Sequence, residues 1–290
     1  MGVLVTIKAV FFDMDGTLLT DSRTISKSTI IAINALKKQG ILVGLATGRD
    51  PQFLLPYMAS LGLDVVIAYN GQYIFSRQEV LFEQALQQEE LDVIIDFAEL
   101  HQKDLSFGLA RGVAGSGVMS FGTGSGLYWL VRLVPASLAG LITFLLNRVI
   151  RKLKPQKKID FDFLKQEPVY QMMLLATEKE TEKLSHLYDF LTFTRSSPYA
   201  TDIISQGNSK LQGILRVGEK LGFDARQVMV FGDSNNDLEM LAGVEYSVAM
   251  SNGTRLAKKT ASYVTDSNNR DGIFKALVHF NLLGEDYVSE

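Results

Sequence analysis

Both ends of this 290-residue chain alternate apolar strand signals with helix signals. That order fits a sheet of parallel strands joined by right-handed crossover helices. Residues 8–12 read as a strand. Residues 26–39 read as a helix, with Ile30, Ile31, Ile33 and Leu36 near helical spacing and Gly40 as its stop. Residues 41–46 form the next strand, Asp50-Pro51 opens a helix running to about residue 60, and 65–69 form a third strand. The pattern resumes late in the chain. Residues 209–221 read as a helix, 228–232 as a strand, 236–241 as a short helix, 246–250 as a strand and 253–260 as another helix. The ends are therefore expected to be two halves of one α/β domain, residues 1–83 and 201–290.

The middle, residues 84–200, breaks the pattern and reads as an α+β insertion. It carries a helix at 89–102, a strand at 105–110, a strand at 169–176 and a helix at 179–190. Between them lie Gly112, Gly115, Gly117, Gly122, Gly124 and Gly126, an apolar run from Leu133 to Leu146 that contains Pro135, and a basic connector at 151–158. The glycine stretch has no Lys-Ser/Thr after it and lacks phosphate-loop spacing, so it reads as a flexible loop. The apolar run is shorter than the roughly 20 residues a membrane span needs, and a buried helix is the expectation. His101, His186 and His279 share no spacing that suggests a site.

Composition excludes several chemistries. There is no cysteine, hence no disulfide framework, thiol nucleophile or cysteine-zinc site. A net charge of −3 gives no electrostatic reason to expect a nucleic-acid partner. No secretory-signal pattern opens the sequence, and a cytoplasmic location without membrane association is the expectation.

Four short segments, each at a strand end or a helix start, carry reactive groups. The first is Asp13-Met14-Asp15-Gly16-Thr17 after the apolar run Val10-Phe11-Phe12. Two carboxylates that close repel unless a cation or shared proton compensates, and a hard divalent ion such as Mg²⁺ does so while attracting phosphate. A surface turn is the plainer reading of these five residues alone. The second is Ala46-Thr47-Gly48-Arg49, where a hydroxyl and free backbone N–H groups can hold phosphate oxygens. The third is Asn208-Ser209-Lys210, whose ammonium can neutralise phosphate charge. The fourth is Gly232-Asp233-Ser234-Asn235-Asn236-Asp237, acids and amides suited to a metal-ligand loop.

In this order the segments resemble the haloacid dehalogenase superfamily, and most closely its class IIB, Cof-type phosphatases. Asn70-Gly71, the run Ala249-Met250-Ser251-Asn252-Gly253 and the tail from Val264 through Asn268 to Asp271-Gly272 share the likeness. The resemblance implies a Rossmann-like core with an α/β cap inserted after the third strand. It implies that Asp13 attacks phosphorus to form an aspartyl-phosphate, and that Asp15 is the general acid and then the base that activates water. It implies Mg²⁺ held by the Asp13 carboxylate, the Asp15 backbone carbonyl and Asp233. Thr47, Gly48 and Lys210 are then expected to bind the phosphoryl group, and Asn236 to contact it or its surroundings. Asp237 supports Lys210 or a water of the metal. The expected function is hydrolysis of a small phosphorylated metabolite, a sugar phosphate or similar phosphomonoester. A phosphomutase and a non-catalytic phospho-ligand sensor are the alternatives. The glycine-rich and apolar middle departs from the pattern of that cap family.

Overall fold

A computed structural model describes residues 6–115, 167–195 and 199–284. The chain divides into two compact units, one of residues up to 49, 53–83 and from 208 onward, the other of residues 50–52 and 84–207.

The first unit is built on an eight-stranded sheet. In chain order its strands are β1 (Ala9–Phe12), β2 (Leu42–Ala46), β3 (Val65–Ala68), β4 (Tyr73–Ser76) and β5 (Val80–Glu83). They are completed by β11 (Val228–Gly232), β12 (Tyr246–Ala249) and β13 (Tyr263–Val264). The spatial order is β13-β12-β11-β1-β2-β3-β4-β5. Strand β1 runs parallel to both β11 and β2, with Phe12 opposite Phe231 on one side and Leu45 on the other. All four β1 residues are buried, as expected of a strand covered on both faces. The chain leaves β1 toward β2 and returns much later to β11. The strand order therefore reverses beside β1, and the crevice for a ligand in such sheets opens at the carboxyl ends of these strands.

The helices α1 (Lys27–Lys38) and α2 (Pro51–Leu61) follow β1 and β2. Ser26 caps α1 by accepting from the Thr29 N–H. The third strand does not lead straight into the insertion. A tight turn at Tyr69–Gly71, with Tyr69 and Asn70 in the left-handed region, sends the chain into the antiparallel hairpin β4–β5. That hairpin has weak alternation and no marked turn dipeptide, so the sequence pattern passes over it.

The second unit holds a five-stranded antiparallel sheet in the order β7-β6-β8-β10-β9. Its strands are β6 (Leu105–Leu109), β7 (Gly112–Gly115), β8 (Val169–Leu175), β9 (Leu191–Thr194) and β10 (Ala200–Ser205). Helices α3 (Gln88–Leu100) and α4 (Glu178–Leu187) accompany them. One face of the sheet joins these helices in a core of Leu91, Ile94, Phe107, Met172, Leu174, Leu184 and Ile203. The unit extends to Gly207, past the expected edge at 200, because β10 pairs with β8 and β9. The first glycines of the dense stretch, Gly112 and Gly115, belong to strand β7 and not to a loop. The rest of that stretch, the apolar run 133–146 and the basic connector lie outside the described residues. No helix among the described residues is long and apolar enough to cross a membrane.

The chain then re-enters the first unit through α5 (Lys210–Leu221), followed by α6 (Leu238–Gly243), α7 (Arg255–Thr260) and α8 (Gly272–His279). Ser209 caps α5 by accepting from the Gln212 N–H, which fixes the helix start at Lys210.

One buried acid in the second unit has a measurable consequence. Asp104, just before β6, is buried, and its Oδ2 has no hydrogen-bond partner among the described residues. Burial raises its carboxyl to about 6. The charged form is the costly one, so the stability this group contributes is fully present below the ordinary carboxyl range and is lost as pH rises through about 6. Asp104→Asn is expected to stabilise the fold at pH 7.5 by about 1–2 kcal/mol, less than the full shift because an amide is still a buried polar group. The gain closes toward pH 4. Thermal unfolding followed across that range checks it, and an unchanged or lower midpoint at pH 7.5 contradicts it.

Candidate active site

The turn after β1 is bound tightly to its surroundings. The Asp13 N–H donates to the Phe231 carbonyl at 2.9 Å, continuing the β1–β11 ladder by one residue. Leu18 and Leu19 donate back to the carbonyls of Asp13 and Met14 at 3.2 and 2.9 Å, closing a compact turn. Gly16 sits within it at φ +85°, and a Cβ there would lie 2.5 Å from Asp233 Oδ2. A side chain is excluded by both the backbone conformation and the neighbouring carboxylate. The glycine lets the turn rest against the Asp233 loop.

Three carboxylates, those of Asp13, Asp233 and Asp237, bring ligand oxygens within 4.8 Å of one another, and all three residues are buried. Lys210, 1% exposed, enters from the first turn of α5. Its Nζ donates to Asp13 Oδ1 at 2.5 Å and to Asp237 Oδ1 at 2.6 Å. A lysine is almost never this buried unless paired, and this one is paired twice. Burial pushes its ammonium toward the neutral form, but the Asp13 and Asp237 carboxylates outweigh that and raise its pKa. Asp237 is further held by the N–H groups of Asp233 and Ser234, which donate to its Oδ2 at 2.9 and 2.8 Å. Asp233 accepts from the Thr17 hydroxyl at 3.1 Å.

The charges do not balance. Three buried carboxylates face one ammonium, leaving an excess of two negative charges. The strain shows in the acids themselves. Burial first and the Asp237 charge second push Asp13 up to about 7, against the pull of Lys210. Burial, then Asp13 and Asp237, raise Asp233 well above the ordinary carboxylate range. The donor set is all oxygen, which suits a hard divalent cation. Asp237 has both oxygens engaged, whereas Asp13 and Asp233 each keep an oxygen without a hydrogen bond among the described residues. The residues thus fit a divalent ion on Asp13 and Asp233, with Asp237 orienting the lysine and the loop.

Asp15 lies apart from this cluster. Its two carboxylate oxygens accept from Arg49 Nε at 2.7 Å and Nη2 at 2.8 Å, a bidentate pair. The guanidinium also stacks on the Phe53 ring, 4.8 Å from its centroid. Thr47 and Gly48 follow the end of β2, beside the turn that carries Asp13. Thr47 is buried, its N–H donates to the Ile67 carbonyl at 2.9 Å, and its hydroxyl accepts from the Arg49 N–H at 3.2 Å. Asn236 lies in the Asp233 loop, its Oδ1 accepting from the Ser234 hydroxyl at 2.6 Å.

Of the residues singled out in sequence, Asp13, Lys210, Asp233 and Asp237 meet directly, while Asp15 turns its carboxylate to Arg49. Arg49 closes the second segment, where its sequence position assigns it no role. Nothing in its spacing from Asp15 signals the pair, because adjacency of β1 and β2 creates it. Thr17 likewise closes the first segment with no partner that its sequence position signals. Its bond to Asp233 spans 216 residues of chain.

The comparisons with known proteins agree with this geometry. A family model described as haloacid dehalogenase-like hydrolase matches residues 10–277. The chain is 29% identical over 277 residues to YkrA of Bacillus subtilis, covering 95% of this chain and 98% of that one. It is 28% identical over 286 residues to 5-amino-6-(5-phospho-D-ribitylamino)uracil phosphatase YcsE of the same organism, covering 96% and 97% of the two. Among solved structures, the HAD subclass IIB sugar phosphatase BT4131 superposes with a TM-score of 0.78 at 27% identity, covering 95% of this chain and all of that one. With an acid-rich strand-end site and a family match across nearly its whole length, the chain belongs to the haloacid dehalogenase-like hydrolases and is one of their phosphatases.

Proposed function

We propose that this protein is a Mg²⁺-dependent phosphatase of small phosphorylated metabolites, a sugar phosphate or similar phosphomonoester, acting in the cytoplasm through an aspartyl-phosphate. The observation that carries the reading is the buried Asp13–Lys210–Asp237 chain beside Asp233, a nucleophile fixed by a cation within an uncompensated negative pocket. In this reading Asp13 and Asp233, with the Asp15 backbone carbonyl, hold the ion. When bound, it neutralises the excess carboxylate charge and that of the phosphoryl oxygens. BT4131, a sugar phosphatase, and YcsE, which acts on a phosphorylated ribityl compound, support the substrate class.

The chemistry then runs on the chain's own residues. Lys210 and the Thr47 hydroxyl, with the Gly48 backbone and Asn236, hold the phosphoryl oxygens in line with the Asp13 carboxylate. Asp13 forms a bond to phosphorus as the bond to the leaving oxygen breaks, and Asp15 donates its proton to that oxygen. Asp15, now charged, takes a proton from water as the water attacks phosphorus. The bond to Asp13 breaks, releasing inorganic phosphate and restoring both acids. Since Arg49 occupies both Asp15 oxygens, this ion pair must open before Asp15 carries a proton to the substrate. The unit of residues 84–207 is the cap in this reading and sets which leaving group is accepted.

Wild-type protein is expected to release phosphate from an aryl phosphate only with a divalent ion, and chelation is expected to abolish turnover. Asp13→Asn is expected to lower kcat by about a thousandfold or more. Equal rates from the two proteins remove Asp13 as nucleophile, and a bisphosphate intermediate with no net phosphate release turns the reading toward a mutase.

A second expectation concerns the metal alone. Because ion binding draws on a preformed folded site, millimolar Mg²⁺ is expected to raise the thermal midpoint of the wild type. Asp233→Asn is expected to weaken Mg²⁺ affinity by about tenfold or more, read as a rightward shift of that titration. A variant titrating like wild type removes Asp233 from the ligand set.

A further inference from the structure

The turn that presents Asp15 is gripped from outside by two asparagines far along the chain. Asn252, in the loop after β12, donates from Nδ2 to the Gly16 carbonyl at 2.8 Å. Asn268, in the loop between β13 and α8, donates from Nδ2 to the Leu19 carbonyl at 2.8 Å. The two are joined, since the Asn268 N–H donates to Asn252 Oδ1 at 3.0 Å. Gly16 follows Asp15 directly, and Leu19 forms a β-bridge with Asp15. One amide therefore holds the residue next to the acid, and the other holds the residue bridged to it.

The same loops also reach the metal-ligand side. The Thr254 N–H donates to the Asp233 carbonyl at 2.7 Å, two residues beyond Asn252. The segment 252–254 thus spans from the Asp15 turn to the Asp233 loop. It adds a second link between those two carboxylate-bearing turns, beside the Thr17–Asp233 hydrogen bond. An outer clasp adds to this, with Asn269 exchanging hydrogen bonds with Asp21 at 2.8 and 3.0 Å, but it touches neither acid-bearing turn.

We propose that Asn252 and Asn268 are positioning residues that fix Asp15 for proton transfer to the leaving group. The proposal rests on the phosphatase reading, with Asp15 as the acid. The physical argument is one of disproportion. Asn252 is exposed, and a part-exposed hydrogen bond contributes little to stability. A displacement of the acid by an ångström, in contrast, slows chemistry severely. A purely structural role and a positioning role therefore separate in measurement.

The leaving group supplies the discriminating readout. An alkyl phosphate departs as a basic alkoxide and needs Asp15's proton. 2,4-Dinitrophenyl phosphate departs as a stable phenolate and scarcely needs it. Steady-state hydrolysis of both esters is compared for wild type, Asn252→Ala, Asn268→Ala and Asn269→Ala with Mg²⁺ present. Asn252→Ala is expected to lower kcat on the alkyl ester by about tenfold or more, to stay within about threefold of wild type on the dinitrophenyl ester, and to move the thermal midpoint by no more than about 3 °C. Asn268→Ala is expected to follow the same pattern, and Asn269→Ala to leave both esters within about twofold of wild type. Equal losses on the two esters in Asn252→Ala, or no loss on the alkyl ester, overturn the proposal even if Asn268→Ala fails to fold. A wild type inactive on both esters instead overturns the phosphatase reading beneath it.

Discussion

The buried ammonium of Lys210 between Asp13 and Asp237 is the interaction on which the site depends. Without it, three carboxylates within 4.8 Å would face one another in a low-dielectric pocket with no internal counter-charge. With it, three ionised carboxylates would still leave the pocket two charges short of neutral, and burial raises Asp13 and Asp233 accordingly. The protein holds together an arrangement that is incomplete by itself, and the incompleteness defines its ligands. A divalent cation and a phosphoryl group bring charges that such a pocket accommodates together. A divalent cation is the kind of ligand that offsets the cost of burying these acids.

The sheet makes this arrangement affordable in structural terms. Strand β1 lies between β2 and β11, so the turns after all three strands share one edge. Helix α5 begins where a cap at Ser209 fixes it, and Lys210 is its first residue. Every group in the cluster hangs from a strand end or a helix start and not from a long loop. Rigid supports of this kind keep close carboxylates from relaxing apart.

Much of this was legible in the sequence. The continuous apolar run before Asp13, the helix start at Ser209-Lys210 and the strand 228–232 each mark an element boundary by local chemistry, and reactive residues sit at those boundaries. What was not legible depends on contacts between distant segments. Arg49 meets Asp15 because two strands are neighbours, and Thr17 meets Asp233 because Gly16 permits close approach. The hairpin β4–β5 and the strand β10 were also passed over. Both are short antiparallel segments whose pairing is set by partners and not by their own pattern. The insertion itself begins at residue 84, where the sequence pattern breaks, once the hairpin is complete.

The central place of β1 has a consequence for how the chain is made. Its partner β2 emerges from the ribosome soon after it, but β11 comes some two hundred residues later, after the entire second unit. At about 5–20 residues per second, one edge of this fully buried strand waits roughly ten to forty seconds for its neighbour. Throughout that interval the nascent chain presents an unpaired hydrophobic edge of the kind that recruits other strands. Newborn copies crowded on one messenger are thus most vulnerable to pairing with each other before residue 228 appears. The five described strands of the second unit pair only among themselves, so all of that sheet's strands have emerged before β11 appears.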